Sequence, residues 1–238
     1  MRKKLNYLFD VDGTLTPPRE TMLREFKQFF AEWVKTQLAS GNNVWFVTGS
    51  DRDKTVQQVG LPLWRFVNGS YQCCGNQLYV RGKLIKQSNW AMSASLHLDI
   101  LNELEKSQWY GEYDGNVEER VGMVNISTIG RGCPTEMRNV YYKWDNQNLE
   151  REKIAGVLKY KYPEIDVSVG GEISIDIYAK GRNKSQVLND MVGETIFFGD
   201  RCDKGGNDYE ISRGADKYYH VGGWQETRSI IEKSLRTT

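Results

Sequence analysis

Leu5-Asn6-Tyr7-Leu8-Phe9-Asp10-Val11-Asp12-Gly13-Thr14 is the stretch on which the reading of this chain turns. Leu5 to Phe9 is a short apolar run that stops at a polar, glycine-containing loop, the pattern of a strand buried in a parallel sheet. In doubly wound sheets ligands bind in the crevice beyond the carboxyl ends of the strands, which is where Asp10 and Asp12 would stand. Two carboxylates one residue apart on an irregular loop can both project into that crevice. One can attack a phosphorus atom while the other moves the proton of a leaving or entering hydroxyl. Gly13 lets backbone amides approach phosphate oxygens closely. The competing reading, a calcium loop begun at Asp10, needs Gly at position 15 and Glu at position 21, where Leu15 and Thr21 stand.

Outward from this stretch the rhythm is that of an α/β protein. Met22, Phe26, Phe29, Phe30, Trp33, Val34 and Leu38 recur at helical spacing up to Gly41, which predicts a helix from about Glu20 to Ala39. Val44 to Val47 reads as a second buried strand ending at Thr48-Gly49-Ser50, and Asp51 can cap the helix that follows. The middle changes character. Gln77 to Gln87 reads as a hairpin turning at Arg81-Gly82, followed by a helix with Trp90, Leu96, Ile100, Leu101 and Leu104 as its apolar members. Val117 to Ser127, Asp166 to Val169 and Ile173 to Tyr178 read as antiparallel strands, with a helix from about Asn148 to Tyr162 among them. The α/β pattern returns with a helix at Lys184 to Val192, a strand at Thr195 to Phe198, a strand at Asp216 to Val221 and a closing helix from Trp224 to Leu235. The expected fold class is α/β, a doubly wound Rossmann-like core with an inserted α+β cap domain. The core is residues 1–84 and 184–238, and the cap is 85–183.

Composition narrows the function classes. A chain of 238 residues with net charge +1 has no overall field to draw nucleic acid or a membrane surface. No run approaches the ~20 apolar residues of a transmembrane helix. Met1-Arg2-Lys3-Lys4 opens like a signal peptide, but Asp10 and Asp12 interrupt the apolar stretch behind it. Cys73, Cys74, Cys133 and Cys202 fit neither metal spacing nor a disulfide framework, so free thiols in a reducing cytoplasm are expected. With His97 and His220 the only histidines, the chemistry falls on carboxylates, hydroxyls and lysine.

Three further elements join the two aspartates. Thr48-Gly49-Ser50 offers hydroxyl and amide donors to a phosphoryl group, with Thr48 and Ser50 both open as the hydroxyl donor. Lys184, at the start of a helix, can neutralise charge on a transferring group. Gly199-Asp200 ends a strand ahead of Gly205-Gly206-Asn207-Asp208, and Asp200 beside Asp10 makes a reasonable octahedral Mg2+ site. Each element alone is a common cap, turn or solvated charge; their order along the chain is what carries the reading.

That order resembles the haloacid dehalogenase superfamily of phosphotransferases. The segments LFDVDGTLTPPR, VTGSDRDKTVQQVG, VNISTIGRGCPTEMR, SVGGEISIDIY and FFGDRCDKGGNDYEI resemble one branch of it, the eukaryotic-type phosphomannomutases, over nearly the whole chain. The resemblance implies that Asp10 is phosphorylated, that Asp12 is the general acid/base, and that Mg2+ is held by the Asp10 side chain, the Asp12 carbonyl and Asp200. It implies that Arg19 faces the sugar phosphate and that Arg120, Arg131 and Arg138 of the cap hold the phosphate distal to the reaction. Asn125, Ser174 and Asp176 match positions that contact sugar hydroxyls and phosphate; Ser174 and Asp176 alternate on one strand and so share a face. Guanidinium forks suit a substrate with an anion at each end. The implied activity interconverts mannose 6-phosphate and mannose 1-phosphate, primed by a hexose 1,6-bisphosphate activator, with a sugar-phosphate phosphatase as the alternative. A homodimer is the family expectation. The chain departs from the family where Thr48 replaces a common glycine and around Tyr178-Ala179 and Arg182-Asn183.

Overall fold

The computed structural model describes residues 4–111 and 115–234. The first strand, β1 (Leu5–Phe9), lies inside a seven-stranded sheet. Tyr7 and Phe9 point to one face and Leu8 to the other, and both faces are covered. Helix α1 (Arg24–Ala39) covers the first face with Phe26, Phe30, Trp33 and Val34. It begins four residues later than the sequence predicts. After Pro17-Pro18 the backbone turns through Arg19 at φ 64°, and Met22 N donates to Gln58 O, so residues 20–22 are held as a loop.

Strand β2 (Asn43–Val47) leads through α2 (Arg52–Val59) and α3 (Leu61–Phe66) to β3 (Gly69–Gln72). Asp51 caps α2, its side chain accepting from Lys54 N at 2.8 Å. The hairpin of β4 (Gln77–Val80) and β5 (Lys83–Gln87) turns at Arg81-Gly82 and extends the same sheet, so β5 runs across the expected core–cap boundary at residue 84. Helix α4 (Ala94–Glu105) then opens the second layer.

Residues 117–127 form two strands rather than one, β6 (Asn116–Arg120) and β7 (Met123–Ser127), because Gly122 at φ 69° lets the chain reverse between them. Helix α5 (Thr135–Asn148) is absent from the sequence reading. Two of the three side chains it buries are the charged Arg138 and Asp145, which hide its apolar period. Leu149, in a left-handed conformation at φ 54°, separates it from α6 (Glu150–Lys161). Strands β8 (Ile165–Gly170) and β9 (Ser174–Ala179) complete an antiparallel sheet of order β6-β7-β9-β8. Its one face packs Val124, Ile126, Val167, Ile175 and Ile177 on Leu96 and Ile100 of α4 and Ile154 and Leu158 of α6. The other face, carrying Asn125 opposite Asp176, looks toward the first sheet.

The return to the first layer runs through a 3-10 segment, Lys184–Asp190, where an α-helix is expected from sequence. Then follow β10 (Glu194–Gly199), α7 (Tyr209–Gly214), β11 (Lys217–His220) and α8 (Trp224–Ser234). Leu235, the expected end of the last helix, and Met1–Lys3 lie outside the described residues. The sheet order is β11-β10-β1-β2-β3-β4-β5, parallel from β11 to β3. The chain leaves β1 toward β2 on one side and returns as β10 on the other, which makes the carboxyl end of β1 the topological switch point. Phe9, Phe198 and Tyr219 stand in register across β1, β10 and β11, with ring centroids 4.6 and 4.8 Å apart, and brace that end of the sheet.

Candidate active site

At the switch point the strands end in polar groups. Asp10 follows β1, Thr48 follows β2 and Asp200 follows β10. Lys184, 1% exposed, donates to Asp10 Oδ1 at 2.7 Å and to Asp208 Oδ1 at 2.6 Å. Asp10, Asp200 and Asp208 each bring a carboxylate oxygen within 4.8 Å of the others. Burial, then Asp208 and Asp200, push the Asp10 carboxyl well above the ordinary carboxylate range against the pull of Lys184. Burial and then Asp208 push Asp200 up to about 7. Burial opposes the Lys184 ammonium, yet Asp10 and Asp208 outweigh it and hold the lysine charged.

Three carboxylates against one ammonium leave an excess of negative charge at the floor of the cleft. Their hard oxygen donors suit Mg2+ rather than a soft metal, so the residues fit a divalent cation. Gly13, at φ 82°, belongs to the same cluster, since a Cβ there would fall 2.5 Å from Asp200 Oδ2. Asp208 carries no assignment in the sequence reading. Its signal was the GGND motif, but only the fold brings it to Lys184.

The Asp12 side chain lies apart from these carboxylates. Its Oδ1 accepts from Arg19 N and, at 2.7 Å, from Gln58 Nε2 on α2, which fixes the carboxylate on the pocket wall. Gln58 is a residue that sequence reasoning missed, for its helix is polar and only the tertiary contact gives it a role. The Thr48 hydroxyl accepts from Ser50 N at 3.1 Å, and both side chains line the pocket. The loop that holds them is pinned from the turn after β3, where Cys73 N donates to Ser50 O and Cys74 N to Thr48 O. All four cysteines are buried and free, and burial first of all pushes Cys73 and Cys202 up to about 12.

The opposite wall is cationic and comes mostly from the second sheet. Glu118 pairs with Arg120 at 2.8 Å and with Arg131 at 2.9 Å, and so holds two guanidiniums side by side. Arg120 also reaches across to Gly49 O at 2.8 Å. Arg19, from the first layer, meets Arg138 at one carbonyl, that of Arg131, at 3.3 and 3.4 Å. Burial first, then the neighbouring Arg138, lower the Arg19 pKa against the opposing pull of Asp12 and Glu172. Asn125 donates to Asp176 at 2.7 Å, and Ser174 stands two residues from Asp176 on β9.

Every residue singled out from sequence therefore lines a single cleft between the two sheets, with Asp10 and Lys184 at its floor. Glu118 contacts two of the expected arginines, and Glu172, Arg201 and Asn207 join the lining without having been expected. His220 Nε2 lies 3.0 Å from Asp200 O and steadies that loop from β11.

This doubly wound core with its inserted sheet, carrying an aspartate–lysine set at the switch point, has the fold of the haloacid dehalogenase superfamily. Solved structures share the fold. A sugar phosphatase of subclass IIB of that superfamily aligns with a TM-score of 0.61 at 16% identity, over 95% of this chain and 98% of its own. The C-terminal domain of C. albicans trehalose-6-phosphate phosphatase gives 0.62 at 15%, over 99% and 78%. The model of the family "Eukaryotic phosphomannomutase" matches residues 30–237. Phosphomannomutases of Drosophila melanogaster and Saccharomyces cerevisiae are 34% and 36% identical, covering 88% and 86% of this chain and 87% and 83% of their own. That of Encephalitozoon cuniculi is 30% identical over 98% of this chain and 94% of its own. The chain belongs to the eukaryotic phosphomannomutase family.

Proposed function

We propose that this protein interconverts mannose 6-phosphate and mannose 1-phosphate through a phospho-Asp10 intermediate. The observation that carries the proposal is the two-ended cleft. The carboxylate–lysine floor faces a wall of Arg19, Arg120, Arg131 and Arg138, which suits a sugar with an anion at each end. A hexose 1,6-bisphosphate primes the enzyme. Asp10 attacks one phosphorus, the bond from phosphorus to sugar oxygen breaks, and Asp12 gives its proton to that oxygen. In the next half-reaction Asp12 takes the proton of the free sugar hydroxyl, whose oxygen attacks phospho-Asp10 and yields the bisphosphate again. The sugar turns end for end, and the other phosphoryl group passes to Asp10.

With Arg19 N and Gln58 occupying Asp12 Oδ1, Oδ2 is the oxygen left to carry the proton. Lys184, bonded to Asp10, pulls against the burial that raises its carboxyl and so favours the ionised nucleophile. A divalent cation held by Asp10, Asp200 and the Asp12 carbonyl would neutralise charge on the transferring group. Thr48 and Ser50 bind that group, and Asn125, Ser174 and Asp176 bind the sugar or its distal phosphate. Residues 1–84 with 184–238, extended to Gln87 by β5, serve as the phosphotransferase core and the remainder of 85–183 as the cap. The working form we propose is a homodimer, as the family resemblance implies, in the cytoplasm. Among the described residues no helix is long and apolar enough to cross a membrane.

The test supplies mannose 1-phosphate, Mg2+ and a hexose bisphosphate primer, and follows isomerised sugar and free phosphate together. Isomer in excess of phosphate is the expected result. Phosphate released mole for mole with substrate consumed, with no isomer, makes the protein a sugar-phosphate phosphatase.

A further inference from the structure

The loop after β10 carries Asp200, Asn207 and Asp208 and reaches the second layer at two points. Val169 N on β8 donates to Gly205 O at 3.2 Å. The Arg201 guanidinium crosses to α5, where Nη1 donates to the Tyr142 hydroxyl at 3.2 Å. Its Cζ lies 5.5 Å from the Tyr142 ring centroid, and that of Arg151 lies 5.9 Å from the same ring. Arg151, itself 3% exposed, donates to the carbonyls of Gly170 and Gly171 at 3.2 and 3.1 Å. Loop, α5 and the β8–β9 turn thus form one packed unit on one side of the cleft. On the other side Arg120 bonds Gly49 O and Arg19 bonds Arg131 O.

Arg201 also faces inward. It lines the cleft, its Nε is buried without a hydrogen-bond partner, and Asp200 Oδ2 lies 3.7 Å from that nitrogen. The same arginine bond is the first cause holding the Tyr142 phenol below its ordinary pKa.

We infer that Arg201 is a closure-positioning residue: gripping Tyr142 across the cleft, it holds the cap shut over Asp10 and keeps water from the phosphorylated form while the sugar phosphate is bound. The inference rests on the mutase reading for its consequence, but the grip itself can be measured without turnover. A charge-assisted bond lost from the closed state alone shifts the open–closed balance by roughly tenfold. Every closure lost gives water access to an acyl phosphate whose phosphoryl group the sugar hydroxyl should receive.

Tyr142→Phe removes only the hydroxyl, Arg201→Met keeps the aliphatic stem, and the double variant closes a cycle. The ratio of free phosphate to isomer should rise about tenfold in Tyr142→Phe, and the double variant should do little more than Arg201→Met alone. Hydrogen exchange in the substrate-free protein should quicken in both 135–148 and 201–207. A ratio that stays at the wild-type value while turnover falls overturns the inference, as do additive single effects or unchanged exchange in either segment. Wild-type protein that forms no isomer sinks the mutase reading instead, and exchange in the Tyr142→Phe protein then decides the grip on its own.

Discussion

At Lys184 one cation meets the buried carboxylates of Asp10 and Asp208, with Asp200 close by. Removing one partner of a buried ion pair leaves uncompensated charge and costs about 3–5 kcal/mol. Lys184→Met should lose that much in urea unfolding at pH 7.5 and recover part of it at pH 5.5, where the freed carboxylates take up protons. A loss under about 1 kcal/mol, the range of exposed ion pairs, would mean that the ammonium does not neutralise the cluster. Asp12 is a different case. Its side chain is tied to Arg19 N and Gln58, away from the carboxylates, so Asp12→Asn should keep Mg2+ binding by calorimetry while turnover drops on the order of 10²–10⁴-fold. Loss of the metal along with the rate would put the Asp12 side chain into coordination.

At the level of elements, the α5–α6 junction carries strain that a substitution can relieve. Leu149 sits at φ 54° and ψ 35°, ends α5 and starts α6, and offers no side-chain cap. Leucine pays heavily for the left-handed region, whereas asparagine tolerates it and can cap the following helix. Leu149→Asn should therefore gain about 0.5–1.5 kcal/mol, read as a higher denaturation midpoint at unchanged m-value. The turn before α5 sets up the cationic wall, since Arg131 and Arg138 flank Gly132-Cys133-Pro134 and meet at the Arg131 carbonyl. Arg138→Ala should lower isomerisation roughly 10–150-fold through the lost phosphate contact, but touch hydrolysis of a small aryl phosphate far less. Equal losses in the two assays would mean that this wall does not select a second phosphate.

For the whole molecule, the carboxylate cluster ties stability to pH and to the metal. Burial and Asp208 hold Asp200 at about 7 in the folded chain, well above the ordinary value near 4. Between those values the folded state keeps a proton that the unfolded state has lost, so stability falls as pH rises through the window. Asp10, also raised, acts with the same sign. In EDTA the melting temperature should therefore fall from pH 5 to pH 8. Mg2+ competes with the protons, so its stabilising increment should grow over the same range. An equal increment at pH 5.5 and pH 8 would place the metal elsewhere.

Buried strands and strand ends were legible in the sequence because local pattern encodes them: a short apolar run stopping at a polar loop marks β1, β2 and β10 and delivers Asp10, Thr48 and Asp200. The positions of Arg19, Arg120, Arg131, Arg138, Asn125, Ser174 and Asp176 came from likeness to a known family and not from periodicity. Helix α5 stayed hidden because Arg138 and Asp145 are buried by partners outside the helix, Glu172 and Arg151 among them. Gln58, Asp208 and Arg201 look like ordinary polar residues until the fold sets them beside Asp12, Lys184 and Tyr142. The sequence by itself determined which residues could do chemistry and in what order they come. Only the tertiary structure decided which charges share one buried space and which side chains bridge the cleft, because those energies depend on distance and desolvation that no local pattern records.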